Sequence, residues 1–177
     1  MPDDLETFNL RSDLHQFGLN TYSDFRITGQ NQLCINNLGP IIKEIKDLDR
    51  ANERDSLASF VYVWVGYDQD TDRMRALHVG STNDIERRFN EHIADLNNNV
   101  YPERTLGIQK IVNTNGRPGK VYIYGRVSAS LEIFGMTLPG HAAEEAALIK
   151  QFKPYWNTEG NPHKRTLKWP PDDLCED

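Results

Sequence analysis

The chain has 177 residues, of which 38% are hydrophobic and 26% charged, and its formal net charge is −6 at pH 7. This composition is typical of a soluble globular protein, and the length suits one domain with an appendage. No apolar run approaches the length of a membrane span, and the acidic start MPDDLETF lacks the apolar stretch of a secretory signal. We therefore expect neither a membrane protein nor a secreted one.

The cysteines and the charge narrow the function further. Cys34 and Cys175 lie far apart in the sequence, which argues against a zinc site or a disulfide scaffold and favours the reducing cytoplasm. The negative net charge argues against nucleic-acid binding, because affinity for phosphate comes largely from Lys and Arg. The charge is uneven, however, since Arg87, Arg88 and the stretch 163–168 are locally basic. A positive face on an acidic protein therefore stays open.

The first third of the chain has a weak pattern. Residues 1–20 show little periodicity, and a short strand is expected at 24–28. IIKEIKDLDRA (41–51) follows Gly39-Pro40 and predicts an amphipathic helix, with the proline near its first turn. The polar stretch RANERDSL (50–57) predicts a boundary.

Three strands are predicted beyond that boundary. FVYVWVG (60–66) is apolar on both faces, which indicates a central strand covered on both sides. MRALHVG (74–80) and KVYIYGRVS (120–128) are the second and third strands. The segment 100–119 is expected to be irregular, and MTLPG (136–140) is expected to be a loop.

Two helices complete the pattern. The first begins after Asn83, a candidate cap, with Glu86 three residues later completing a capping box. It ends at 97–99, three asparagines. The second helix spans 141–153 and is stopped by Pro154. The apolar stripe of the first helix is formed by Ile85, Phe89, Ile93 and Leu96.

Glu145 lies in the apolar stripe of the second helix. At 100° per residue, four apolar residues fall within about 60° of it: Ala142, Leu148, Ile149 and Phe152. Its neighbour Glu144 points to the flank, where an acid is ordinary. A buried charge is costly unless it is paired or bound to a metal. Either a structural ion pair with a nearby arginine or a metal ligand would explain Glu145.

Arg88 and His92 are four residues apart and share a face of the first helix, at the border of its apolar stripe. Arg87 points away to solvent. The alternative is a surface arginine with a half-buried histidine. If the first two strands are adjacent and antiparallel, Tyr62 and His78 share one surface, although core packing is the better explanation for each ring taken alone.

Asn157 follows the second helix, where a turn residue that tolerates a left-handed backbone is the simplest interpretation. The order of all these parts is more informative than any one of them. FVY (60–62), HVG (78–80), STNDIERRFNEH (81–92) and EAALIKQFKPYWN (145–157) together resemble the GIY-YIG nuclease family. The chain departs from the pattern in Phe60, which replaces a glycine, in His78, which replaces a tyrosine, and in a longer connection between the two tripeptides.

The resemblance implies an α/β fold, with a small mixed, largely antiparallel central sheet flanked by helices. The nuclease domain would span 57–160, with an N-terminal extension at 1–56 and a C-terminal tail at 161–177. The implied activity is hydrolysis of phosphodiester bonds in double-stranded DNA with one divalent metal, Mg²⁺ or Mn²⁺. The implied catalytic residues are Tyr62, His78, Arg88, His92, Glu145 and Asn157.

The resemblance also assigns roles. Glu145 would be the metal ligand, because Mg²⁺ takes one or two carboxylates and keeps waters and phosphate oxygens in its other positions. Tyr62 would position or deprotonate the attacking water, and Arg88 would hold the scissile phosphate. His92 would form a hydrogen bond within the site, for example to a tyrosine, and Asn157 would tie the end of the second helix to the site.

His78 is a more available base than the tyrosine it replaces, because the reference pKa is ~6.5 for imidazole and ~10 for phenol. The segments 1–56 and 161–177 are too short for a separate large domain, so a type II restriction endonuclease, acting as a homodimer or as two monomers in turn, fits best. The alternatives are a homing or repair nuclease, or a non-catalytic module that binds nucleic acid or a protein.

Overall fold

The computed structural model describes residues 10–51, 59–113 and 119–157. Residues 1–9 of the expected N-terminal extension, most of the boundary at 50–57 and the tail at 161–177 lie outside these residues. In chain order the helices and strands are α1 (Leu10–Gln16), β1 (Asn20–Ile27), β2 (Leu33–Ile35), α2 (Gly39–Ala51), β3 (Phe60–Asp68), β4 (Arg73–Thr82), α3 (Ile85–Asn97), α4 (Pro102–Val112), β5 (Gly119–Val127), β6 (Ser130–Ile133), β7 (Met136–Pro139) and α5 (His141–Phe152).

Five strands form one sheet in the order β2-β1-β5-β3-β4, and every neighbouring pair is antiparallel. β3 lies between β5 and β4, and all but one of its residues are buried, as the two-sided apolar pattern predicts. β4 is an edge strand, and Tyr62 of β3 stands opposite Gly80 of β4. The expected mixed α/β fold with a largely antiparallel sheet is confirmed, and β1 and β2 belong to the same sheet.

The alternation of β3 divides the core in two, because successive side chains point to opposite faces. Tyr62 and Trp64 face the cluster that contains residues of α3 and α4. Val61, Val63 and Val65 face the cluster that contains residues of α1 and α5. The helices α3 and α5 therefore cover opposite faces of the sheet, with the edge strand β4 between them.

Two segments differ from expectation. Residues 100–119 are not irregular throughout, because α4 occupies Pro102–Val112. Its proline is at the first turn, where no intrahelical N–H is needed, so it starts the helix rather than breaking it. MTLPG is not a loop, since Met136–Pro139 forms β7 and pairs with β6.

The start of α3 also differs in its cap. Asp84, not Asn83, is the N-cap residue, and its carboxylate accepts a hydrogen bond from the backbone N–H of Arg87 at 3.0 Å. The expected capping box with Glu86 is therefore wrong by one residue. Among the helices that the structure describes, none has the length and apolar character needed to cross a bilayer.

Candidate active site

A polar cleft of about 340 Å³ opens at the edge strand β4, between the beginnings of α3 and α5. It is lined by His78, Gly80, Ser81, Thr82, Asn83, Arg87, Arg88, Glu91, His141 and Glu145. Three of the six predicted site residues, His78, Arg88 and Glu145, therefore meet at one cavity. Because they come from one strand and two helices on opposite faces of the sheet, the packing of both helices is needed to bring them together.

Tyr62 lies behind this lining on β3, with its ring against Gly80. A hydrogen bond of 2.7 Å joins its hydroxyl oxygen to Nε2 of His92 on α3. Burial raises the pKa of Tyr62 to about 12, while Arg88 opposes this effect and Glu145 adds to it. The phenol therefore keeps its proton at neutral pH.

His92 is the expected hydrogen-bonding histidine, and its ring is buried among aromatic rings. Burial, reinforced by the positive charges of Arg88 and Arg104, lowers its pKa to about 3. A neutral imidazole has one acceptor and one donor nitrogen. The pair of Tyr62 and His92 is thus a neutral hydrogen-bonded unit that fixes the phenol beneath the cleft.

His78 stands opposite Trp64 in the β3–β4 register, and its ring centroid lies 4.7 Å from that of Trp64 and 5.5 Å from that of His92. Neither of its ring nitrogens has a hydrogen-bond partner among the described residues. Burial lowers its pKa well below the ordinary value, and electrostatic interactions with His92, Arg104 and Arg88 act in the same direction, whereas Asn157 acts in the opposite one. His78 is therefore neutral at the cleft.

Arg87 and Arg88 both border the cleft, but their surroundings differ. Arg87 is the more exposed, and its guanidinium pairs with Glu91 at 2.6 Å and with Asp84 at 3.7 Å. Arg88 makes a longer contact of 3.5 Å with Glu91 and interacts with the Tyr62 hydroxyl. Arg87 is exposed as expected, yet it does not point away from the site.

Glu145 is half-buried, and its Oε2 accepts a 2.5 Å hydrogen bond from the hydroxyl of Ser81. In the described part of the chain no cation forms an ion pair with it. Three members of the predicted stripe are buried as expected, whereas Ala142 is exposed. Glu145 therefore lies where the apolar stripe ends at the cleft, rather than in the middle of the core.

The ion pair proposed for Glu145 belongs instead to its neighbour. Glu144 lies 2.8 Å from the Arg126 guanidinium and accepts a 2.8 Å hydrogen bond from the backbone N–H of Ala129. Its side chain is only 15% exposed, so the expectation of an ordinary flank position is wrong. Glu144 holds the beginning of α5 against β5. Glu145 keeps its hydrogen bond from Ser81 but has no ion pair among the described residues, and we call it uncommitted in that sense.

Asn157 does not have the left-handed backbone of a turn residue, and its side chain binds the backbone of β4 instead. Its Oδ1 accepts from the backbone N–H of Val79, and its Nδ2 donates to the carbonyl of Val79, both at 2.8 Å. The left-handed backbone falls instead at Lys153, with φ of 45°. Asn157 thereby fixes β4 at the residue between His78 and Gly80.

The sequence analysis missed His141 as a cleft residue and missed how close Arg104 lies to the site histidines. His141 lies one helical turn before Glu145 and lines the same cavity, a spacing of four that could have revealed it. Arg104 on α4 donates to the carbonyl of Trp156 at 2.9 Å and stacks on Tyr101 at 4.4 Å. Its charge lowers the pKa of His78 and of His92. Treating 100–119 as irregular concealed its position.

The donor set fits one type of metal. No group of three or more His, Cys, Asp or Glu residues suited to a metal occurs in the part of the chain that the structure describes. Glu91 also lines the cleft, but it is engaged by Arg87 and Arg88. One uncommitted carboxylate in a polar cleft suits Mg²⁺, which keeps most of its ligands as waters and substrate phosphates.

The architecture, a five-stranded antiparallel sheet flanked by helices, is consistent with a nuclease fold. No family model matches the sequence, and no curated protein matches it. Among solved structures, a mutant of EndoII from bacteriophage T4 matches with a TM-score of 0.54 and 14% sequence identity. The match covers 85% of this chain and 99% of the phage chain. At this identity the likeness is one of fold.

Proposed function

We propose that this protein is a DNA endonuclease that hydrolyses phosphodiester bonds in double-stranded DNA and depends on one Mg²⁺ or Mn²⁺. The observation that carries the proposal is the meeting of Glu145 and Arg88 in one polar cleft. Glu145 has no ion-pair partner among the described residues, and the ion pair of Arg88 with Glu91 is long, at 3.5 Å. An uncommitted acid and an available guanidinium are what a metal and a phosphate require.

Glu145 would hold the metal, and a bound divalent ion would supply Lewis-acid stabilisation of the developing charge on the phosphate. The hydroxyl of Ser81 orients the carboxylate through its hydrogen bond to Oε2. Oε1 then remains for the metal. Arg88 would bind a non-bridging phosphate oxygen, because a planar guanidinium offers several donors to a phosphate.

Tyr62 and His78 are the two candidates for positioning or activating the attacking water. Tyr62 cannot act as a phenolate at neutral pH, because its pKa is raised to about 12. His78 is neutral and offers an acceptor nitrogen, but its lowered pKa makes it a weak proton acceptor. We therefore assign His78 the task of accepting a hydrogen bond from the attacking water and orienting it, while the neutral unit of Tyr62 and His92 lies beneath the cleft.

We further propose a type II restriction endonuclease, acting on double-stranded DNA as a homodimer, as the biological role. Among the described residues, this cleft holds one carboxylate without an ion pair, so cleavage of both strands needs two copies or two successive encounters. A homing or repair nuclease is the alternative within the same chemistry. A non-catalytic module is the alternative outside it, favoured by the replacements at Phe60 and His78 and by the net charge of −6.

A plasmid nicking assay tests the activity. Supercoiled plasmid incubated with the protein and Mg²⁺ or Mn²⁺ should yield open-circular and linear products, and an excess of EDTA should abolish both. Intact plasmid under all conditions, with the plasmid still bound in a gel-shift experiment, would favour the non-catalytic module.

A further inference from the structure

A hairpin stands apart from the five-stranded sheet. β6 and β7 form their own two-stranded sheet, joined by a turn in which Phe134 and Gly135 have φ of 52° and 76°. Such left-handed turn residues match the natural twist of a two-residue hairpin. Phe134, at the tip, is 96% exposed.

One face of this hairpin is apolar. In its register Leu131 stands opposite Leu138 and Ile133 stands opposite Met136, and these alternate pairs share a face. The polar pair of Glu132 and Thr137 lies between them on the other face, joined by a hydrogen bond from the threonine hydroxyl to the carboxylate. We call the four apolar residues and Phe134 the hairpin patch.

The hairpin patch is uncovered within the described part of the chain. Leu131, Ile133, Met136 and Leu138 are 37%, 42%, 57% and 40% exposed, and none belongs to either core cluster. Single exposed apolar residues are ordinary, but a contiguous set on one face marks an interaction site.

The charges of the hairpin favour a second copy of this chain over DNA as its partner. The segment Ser130–Pro139 contains no Lys or Arg, so it offers nothing to DNA phosphates, which dominate the affinity of a DNA-binding surface. Its one acid, Glu132, lies on the opposite face. Two copies of a chain with a net charge of −6 could therefore meet through this patch without bringing like charges together. Such a self-complementary surface suits a two-fold contact.

The base of the hairpin adjoins the helix that carries two of the cleft residues. The N–H of Gly140 donates to the carbonyl of Ala129 at 3.1 Å, and a Cβ at Gly140 would fall 2.1 Å from that oxygen. α5 begins at the next residue and carries His141 and Glu145. A contact made by the hairpin would therefore set the position of the cleft relative to the partner.

We propose that the hairpin patch is the surface through which two copies of this chain associate, so that two clefts are held at a fixed separation. The association would supply the homodimer proposed above and is independent of the nuclease activity. Its consequence, concerted cleavage of both DNA strands, rests on the proposed function.

Sedimentation velocity over about 1 to 100 µM protein tests the association. The wild type should sediment as a dimer in the upper part of this range. The double variant Ile133→Thr, Met136→Thr keeps residues that favour strands but removes the apolar contact, so we expect dimerisation at least about 30-fold weaker. Leu106→Gln on α4 is the matched control, because Leu106 is an exposed apolar residue (63%) outside the hairpin, and it should leave the dimer intact.

Thermal melting by circular dichroism should show that the double variant is folded, since the replaced side chains lie outside the core. On plasmid, it should still nick single strands while the yield of linear product falls several-fold. A wild type that is monomeric throughout, or a double variant as dimeric as the wild type, overturns the proposal. The proposal is also overturned if the wild type is monomeric and the double variant loses affinity for a short DNA duplex, because the hairpin patch would then bind DNA. An inactive but dimeric wild type would refute the nuclease and leave the interface standing.

Discussion

The ring of Tyr62 occupies the space that a side chain on Gly80 would need. A Cβ added at position 80 would fall 2.4 Å from the Tyr62 hydroxyl oxygen and 2.5 Å from the ring carbon that bears it. The glycine of the second tripeptide is therefore needed for space, because its backbone conformation is an ordinary one for any residue. It sets where the phenol of the first tripeptide can lie.

Gly80→Ala should move Tyr62 and break its 2.7 Å hydrogen bond to His92. We expect unfolding to become easier by about 1 to 3 kcal/mol, as for overpacking in a core, and nicking to be strongly reduced. Gly29→Ala is the matched control, because nothing lies within 4 Å of the added atom there. Chemical denaturation and the nicking rate check both effects, and equal behaviour of the two variants would refute the steric argument.

Glu145→Gln should remove activity without loss of stability, whereas Glu144→Gln should lower stability without loss of metal binding. Glu145→Gln should abolish cleavage and weaken Mn²⁺ binding measured by calorimetry, because an amide is a poor ligand for a hard cation. Its fold should be intact. Glu144→Gln should lower stability by about 1 to 3 kcal/mol, because Arg126 loses its charged partner, while metal binding persists. If Glu145→Gln cuts DNA at the wild-type rate, Glu145 is not the metal ligand.

Arg88→Ala should cost more activity than Arg87→Ala. Arg88 interacts with Tyr62 beneath the cleft, whereas Arg87 is held by Glu91 and Asp84 at the surface. Losing a donor to the transition state typically costs about 100- to 1,000-fold in rate. We expect Arg87→Ala to have a smaller effect that is removed at low salt, as for a general phosphate contact. Single-turnover rates decide the matter, and similar losses in the two variants would mean that both arginines act as general contacts.

His92 should make the protein sensitive to acid. Its pKa is about 3 in the folded chain and ~6.5 in an unfolded chain. Above pH ~6.5 both states are neutral there, but between these values the unfolded chain binds a proton that the folded chain does not, so stability falls as pH drops. Melting temperatures between pH 7 and 4 should decline less in His92→Gln than in the wild type. Parallel declines would contradict a buried neutral His92.

The pH–rate profile should separate the roles of His78. Because its pKa is well below the ordinary value, its protonation should not slow the wild type near pH 6.5, and an acid limb should appear only at much lower pH. His78→Tyr restores the family residue and should be partly active without that limb, and His78→Ala should be slower. Rates at saturating Mg²⁺ test this. An acid limb that is the same in the wild type and His78→Tyr would exclude His78 from the mechanism.

Local pattern was sufficient for β3, β4, α3 and α5, because each carries its own apolar periodicity. It was insufficient for α4, where Pro102 resembles a helix breaker unless its place in the first turn is known. The helical wheel gave the direction of Glu145 but not its depth, and it could not show that Arg126 would select Glu144. The pairing of Arg126 with Glu144 and the position of Arg104 near the site both depend on segments that are distant in the sequence and meet only in the fold.

The contact between Asn157 and Val79 has a consequence for the outer rim of the sheet. An edge strand normally offers unpaired N–H and C=O groups to any passing strand. Here the amide of Asn157 occupies both such groups of Val79, and the N–H groups of Trp156 and Tyr155 take the carbonyls of Leu77 and Ala76. The segment after α5 therefore blocks this part of the β4 edge, so that a strand from another copy cannot pair with it there.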